Sequence, residues 1–191
     1  RDFVKLLVAT TNKGKIREIA DILSDLGITI VSPADIGLEL HVVEDGTTFA
    51  ENAAIKARAW CKASGLPALA DDSGLCVDAL QGRPGVKSAR FAGRDASDED
   101  NNALLLKSLR GEKNRAARFV CAAALALPTG ELIPAEGTYG GTITEEPVGR
   151  GGFGYDPVFF DADAGKTFAR MSPEEKNARS HRRRALQSLK G

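Results

Sequence analysis

At 191 residues, with 42% hydrophobic and 27% charged residues, the chain can bury a core without disulfides and is too apolar to be disordered. Its 26 basic and 26 acidic residues cancel, so no global field draws it to nucleic acid or an anionic membrane. Any anion site has to be built locally. Cys61, Cys76 and Cys121 are odd in number and lie in apolar or helical stretches without a CxxC or Cys/His cluster, which points to buried reduced thiols rather than disulfides or structural zinc. The opening Arg1-Asp2-Phe3-Val4-Lys5 has too short an apolar run for a signal peptide. The longest apolar run, Val120 to Leu127, is far short of the ~20 residues that span a bilayer, so a cytoplasmic protein is expected.

In chain order, Phe3 to Ala9 is predicted as a strand buried on both faces. Asn12 to Leu26 follows as a helix with Ile16, Ile19, Ala20, Leu23 and Leu26 at helical spacing and Gly27 as its stop. Ile28 to Val31 is a second short strand, and Thr47 to Ser64 a second helix with Phe49, Ala53, Ala57, Trp60 and Cys61 on one face. Ala68 to Ala70 is a short strand running into Asp71-Asp72-Ser73-Gly74, followed by the apolar stretch Leu75 to Leu80. Ser97 is the predicted N-cap of a helix reaching Leu109. Ala116 to Leu127 and Glu131 to Thr144 form a hairpin turning at Pro128-Thr129-Gly130. A glycine-rich loop, Gly149 to Gly154, precedes a strand from Pro157 to Phe160. Ser172-Pro173-Glu174-Glu175 starts a last helix running to Leu189 and burying Ala178, Ala185, Leu186 and Leu189. No repeat or linker interrupts this order, so residues 1–191 are expected to form one mixed α/β domain.

Four stretches carry chemistry. Thr10-Thr11-Asn12-Lys13-Gly14-Lys15 joins a strand to a helix N-terminus, where free N–H groups and the helix dipole favour an anion; the spacing is not that of a P-loop. Glu44-Asp45 and Asp71-Asp72 supply carboxylates for Mg²⁺ if Asp72 faces a cleft and Glu44 approaches it. Adjacent strand residues point to opposite faces, so Asp71 and Asp72 cannot serve one site equally. Gly149 to Pro157 lets backbone approach a flat ligand, with Phe153 and Tyr155 able to stack, but lies before a strand rather than between strand and helix, which excludes a dinucleotide fold. The basic run Lys176, Arg179, His181, Arg182, Arg183, Arg184 is partly solvated, since consecutive helix residues are ~100° apart.

Together these stretches resemble the inosine triphosphate pyrophosphatase family. The matching segments are Val8 to Lys15, Thr48-Phe49-Ala50-Glu51-Asn52-Ala53 with Lys56, Ala70 to Leu75, Arg83-Pro84-Gly85, Gly151 to Pro157, Lys176, and Ser180-His181-Arg182. Each is weak alone; the ordered set covers nearly the whole chain and is specific. The resemblance implies a two-lobed α/β fold, a long mixed β-sheet flanked by helices with a central substrate cleft, a homodimer, and Mg²⁺-dependent hydrolysis of ITP, XTP and their deoxy forms. It also implies that Thr10, Thr11, Asn12, Lys13, Gly14, Lys15 and Lys56 bind phosphate, and that Glu44 and Asp72 hold the metal, with Asp45 open as an alternative to Glu44. The resemblance further implies that Asp72 is the proton acceptor and that Ser73, Phe153, Gly154, Tyr155, Asp156, Lys176, His181 and Arg182 bind substrate. Thr11 stands where many relatives have glycine, and Val43-Glu44-Asp45-Gly46 departs from the more common paired-glutamate pattern. Rival readings are the same reaction on another modified base, a catalytically dead nucleotide sensor, and an RNA-binding module, which zero net charge disfavours.

Overall fold

The computed structural model describes residues 4–189. Among them, seven strands are hydrogen-bonded in the order β2-β1-β3-β4-β5-β6-β7: β1 Lys5–Val8, β2 Thr29–Val31, β3 Ala68–Val77, β4 Ala116–Ala126, β5 Leu132–Ile143, β6 Phe159–Asp161 and β7 Lys166–Thr167. β1 pairs parallel with β2 and β3, whereas β6 pairs antiparallel with β5 and β7, so the sheet is mixed as expected. The helices are α1 Lys13–Ile22, α2 Phe49–Ser64, α3 Asp98–Ser108, α4 Pro173–Arg179 and α5 His181–Leu189. No helix among the described residues is long and apolar enough to cross a membrane.

The chain divides into two compact units. Unit one takes the chain up to Asp72, then Cys121–Gly137 and the segment from His181 onward; unit two takes Ser73–Val120 and Thr138–Ser180. In unit one, β1 is buried on both faces from Leu6 onward, while Val4 and Lys5 before it are exposed. Leu7 and Ala9 pack with Ala53, Ala57, Trp60 and Cys61 of α2, while Leu6 and Val8 pack with Ile19 and Ile22 of α1 and Ala185 and Leu186 of α5. Unit two has an aromatic core of Phe119, Tyr139, Phe159 and Phe168, joined by Leu105 of α3 and by its C-cap Leu109.

Helix starts follow the sequence signals. Asn12, Thr48, Ser97 and Ser172 each cap the following helix with a side-chain oxygen, and Ser97 forms a full capping box with Asp100. Gly65 closes α2 in the left-handed conformation. The three cysteines are free and buried.

Other expectations are corrected. The first helix stops at Ile22, and Ser24–Leu26 is a separate 3₁₀ turn that leaves Leu26 44% exposed. Asp71 to Gly74 does not leave the strand but continues it, so β3 runs ten residues and the apolar end of the following stretch, from Asp78, becomes a 3₁₀ turn. Pro157 lies in a 3₁₀ turn before β6, because its fixed φ and missing N–H suit a turn better than a ladder. The last helix is two: Ser180 is extended (φ −66°, ψ 150°) and fully buried between α4 and α5. Ala178 is consequently exposed. The expected positions of Phe3 and of the Leu189 side chain lie outside the described residues.

β5 passes so close to α5 that a side chain at Gly137 has no room. A Cβ there would fall 2.4 Å from Ala185 N and 2.5 Å from His181 O, both backbone atoms. Gly137→Ala is expected to destabilise by about 2 kcal/mol or more, read as a shift in denaturation midpoint at unchanged m-value.

Candidate functional site

The first group of site residues lies in unit one, where β1 ends and α1 begins. Asn12 Oδ1 accepts from Gly14 N at 2.9 Å and Lys15 N at 3.2 Å, and Thr10 Oγ1 accepts from Asn12 N at 3.1 Å. Two of the amides expected to face an anion are therefore occupied by the cap. What remains there is the positive end of the helix dipole together with exposed Lys13 and half-buried Lys15. Thr11 is exposed beside them.

Strand alternation separates the two aspartates. Asp71 is buried at 4% exposure, whereas Asp72 and Ser73 are half-buried. Asp72 Oδ2 accepts from Asn52 Nδ2 at 3.1 Å, and Asn52 Oδ1 in turn accepts from Gly46 N at 2.9 Å. Asn52, on α2, thus ties the loop carrying Glu44 to Asp72. Lys56, one helical turn further along α2, pairs with Glu44 Oε1 at 3.1 Å and donates to the Asp71 carbonyl. Burial pushes the Asp72 carboxyl above its ordinary value; the Asn52 hydrogen bond and Lys56 oppose this, and Glu44 adds to it through like charge. A carboxylate made more basic in this way is suited to accept a proton near neutral pH.

Among the described residues, no three His, Cys, Asp or Glu side chains gather as a metal cage. The donor set here is instead two carboxylates, those of Asp72 and Glu44, near enough for mutual charge repulsion to register. Such a set fits Mg²⁺, which is usually held by one or two carboxylates with substrate phosphates supplying further ligands. Asp45 is exposed, and its neighbour Glu44 carries the contact to Lys56.

Asp71 gathers a second set of charges. Its carboxylate lies 3.4 Å from Lys15 Nζ and 2.9 Å from Arg182 Nε, and Arg182 Nη1 lies 3.0 Å from Glu18 Oε1. Arg182, assigned above to substrate, is only 1% exposed, enclosed by these acids. Of its neighbours at the start of α5, His181 is buried, Arg183 half-buried and Arg184 exposed, as helical geometry requires. Burial opposes ionisation of Asp71, but Lys15, Arg182 and Lys56 together hold its carboxyl well below the usual carboxylate range. The linkage sign is that of a depressed acid: stabilisation is complete above the unfolded-state value near ~4 and is withdrawn as the pH falls further. The melting-temperature gap between wild type and Asp71→Asn is therefore expected to narrow from about pH 4 to pH 2. A gap independent of pH over this range would show that the folded protein does not hold the Asp71 carboxyl below its ordinary value.

The second group lies in unit two. Asp156, 4% exposed, accepts from Phe153 N at 3.0 Å and pairs with Lys176 Nζ at 2.6 Å. The same ammonium stands 4.1 Å from the Phe153 ring centroid, within cation–π range. Gly154 N donates to Asp98 Oδ2 at 2.9 Å and Gly154 O accepts from Asn102 Nδ2 at 3.2 Å, so α3 braces the loop. Tyr155 is buried and its hydroxyl donates to the Ser88 carbonyl at 2.6 Å; it anchors the loop rather than offering a face for stacking. Phe153 and Gly154 also line a recess of about 880 Å³ with Asn102 and Arg150, within the size range of small-molecule sites.

Asn52, Asp71 and Glu18 were not among the residues assigned from sequence. Asn52 stood inside a matched segment, and Glu18 adjoins Ile19 and Ile22 on the apolar face of α1, where a buried acid requires a partner.

A family model described as the Ham1 family matches residues 6–191. A dITP/XTP pyrophosphatase from Exiguobacterium sp. is 52% identical over 186 residues, covering 97% of this chain and 95% of the relative. Another from Geobacter sulfurreducens is 53% identical over 188 residues, covering 97% and 94%. Among solved structures, a HAM1 protein from Coxiella burnetii superposes with a TM-score of 0.88 at 40% identity, covering 98% of this chain and 96% of that one. The Staphylococcus aureus Ham1 protein gives 0.86 at 40% identity, covering 97% and 95%. A match of this length, on a fold that superposes with solved members, establishes that the chain belongs to the Ham1 family.

Proposed function

We propose that the protein hydrolyses deaminated purine nucleoside triphosphates, such as ITP, dITP and XTP, to the monophosphate and pyrophosphate. The observation that carries this reading is the setting of Asp72: a half-buried carboxylate of raised basicity, braced by Asn52, with Lys56 and Glu44 alongside. Relatives about half identical over nearly the full length bear the name dITP/XTP pyrophosphatase.

In this reading Thr10 to Lys15 and Lys56 take the triphosphate, Lys13, Lys15 and Lys56 by charge and the α1 N-terminus by its dipole. Asp72 accepts the proton of a water whose oxygen bonds to the α-phosphorus as the α–β bridging bond breaks and pyrophosphate leaves. Asp72 and Glu44 would hold Mg²⁺, which when bound neutralises charge on the departing group. Ser73, Phe153, Gly154, Asp156, Lys176 and His181 serve the nucleoside end, with Tyr155 and Arg182 acting through the residues they hold. Hypoxanthine and xanthine offer a 6-oxo acceptor and an N1–H donor where adenine offers an amino donor and a bare N1. Donors matched to that oxo group would be left unpaired by ATP, a mismatch that can discriminate by up to ~10⁴-fold. The physiological setting is nucleotide-pool cleansing in the cytoplasm by a homodimer.

Purified protein given ITP or ATP with Mg²⁺ and assayed for pyrophosphate and orthophosphate separately tests the proposal. Pyrophosphate from ITP, with ATP turned over far more slowly, is the expected result. Orthophosphate as the first product, or equal turnover of both nucleotides, overturns it.

A further inference from the structure

Four charged side chains meet on the buried side of β3: Lys15, Asp71, Arg182 and Glu18. Two are cations and two are anions, so the group is formally neutral. Their side-chain exposures are 19%, 3%, 1% and 5% in that order. The network is therefore shut off from water at Arg182 and Glu18 and opens only towards Lys15. Cys121 Sγ approaches the same Asp71 oxygen as Arg182, at 3.7 Å. Through its carbonyl the same residue also receives Lys56. Asp71 thus contacts both lysines assigned to the triphosphate that line this part of the site, one by carboxylate and one by backbone.

Arg182 and Lys15 do different work at this carboxylate. Arg182 is enclosed between two acids and supplies the neutralisation that lets Asp71 stay ionised in the interior. Lys15 sits at a longer 3.4 Å, and a lysine ammonium has three N–H donors, so it keeps capacity for a second anion. Its stem, rich in rotamers, would wander over a solvent-facing helix start without this tether.

We propose that Asp71 is a positioning residue for the neighbouring site, its buried carboxylate aiming the Lys15 ammonium at the triphosphate while its carbonyl holds Lys56. This rests on the pyrophosphatase reading above. Asp71 does not touch the reacting atoms; it makes the contribution of Lys15 conditional on its own charge. With Asp71 neutral, Lys15 is still present but no longer directed, so its share of polyanion binding is lost and turnover falls with the orientation of the bound triphosphate.

A double-substitution cycle tests this in the intact protein. Lys15→Ala, Asp71→Asn and the pair are compared for binding of inorganic tripolyphosphate with Mg²⁺, for kcat and KM with ITP, and for melting temperature. Lys15→Ala is expected to weaken tripolyphosphate binding about 10-fold in the wild-type background and less than about 3-fold beside Asp71→Asn, a coupling typical of residues in contact. Asp71→Asn is expected by itself to weaken tripolyphosphate binding about 3-fold or more, since it removes most of the Lys15 contribution, and to lower kcat about 10-fold or more, because small displacements of binding groups act on the oriented complex. If Asp71→Asn does not fold, Asp71→Glu carries the same cycle: it keeps the charge, moves it by one methylene, and should give intermediate coupling. Equal effects of Lys15→Ala in both backgrounds, in a protein whose wild type releases pyrophosphate, overturn the positioning role alone. A wild type that neither binds tripolyphosphate nor releases pyrophosphate removes the underlying reading and this role with it.

Discussion

Asp72→Asn is expected to reduce kcat by at least ~10²-fold, the scale of losing one preorganised group at a reacting centre, while the fold survives. The two halves of that expectation have separate causes. Activity falls because an amide cannot take a proton from water, and because one of the two carboxylates suited to Mg²⁺ is gone. Stability holds because the charge at this position is already disfavoured: burial raises the Asp72 carboxyl, and a neutral amide of the same shape avoids that burden. Asn52 Nδ2 still finds an oxygen to donate to. Turnover of ITP alongside a thermal melt reads both. A folded Asp72→Asn protein with near-normal turnover would take the proton-acceptor role away from Asp72.

Arg182→Ala is expected to have the largest effect on stability, about 3–5 kcal/mol, because it removes the fully buried cation that faces two buried carboxylates, those of Asp71 and Glu18. For a chain of this length that corresponds to a fall in Tm of roughly 6–20 °C. Arg182→Lys keeps the charge but cannot reproduce two contacts in fixed fork geometry, so it should lie between wild type and alanine. Equilibrium denaturation distinguishes the outcomes. A variant within about 1 kcal/mol of wild type would mean that these acids are solvated or protonated in the folded protein.

The parts of the molecule legible in the sequence are those governed by local rules. The capping serines Ser97 and Ser172, the two-face burial of β1 from Leu6 onward and the β4–β5 hairpin follow from patterns a few residues long. The separation of Asp71 from Asp72 was also legible, since the period-two alternation holds wherever the strand happens to end. The extent of β3 was not: Asp-Asp-Ser-Gly has the composition of a turn, yet it lies within a strand whose two ends are buried, and tertiary context overrides the local preference. The break at Ser180 was hidden for a related reason. Helical spacing continues through it, but Pro173–Arg179 and His181–Leu189 belong to different units, and the buried serine marks the change. Arg182 illustrates the limit for the site. A basic run shows that some arginine turns inward but not which acids it meets, and Glu18 and Asp71 are remote from it in sequence.

The position of bond cleavage separates attack on the α-phosphorus from attack elsewhere on the triphosphate. ITP is turned over in ¹⁸O-enriched water and both products are examined by mass spectrometry. Attack on the α-phosphorus places the heavy oxygen in inosine monophosphate and leaves pyrophosphate unlabelled. Label in pyrophosphate, or orthophosphate in its place, would contradict the account.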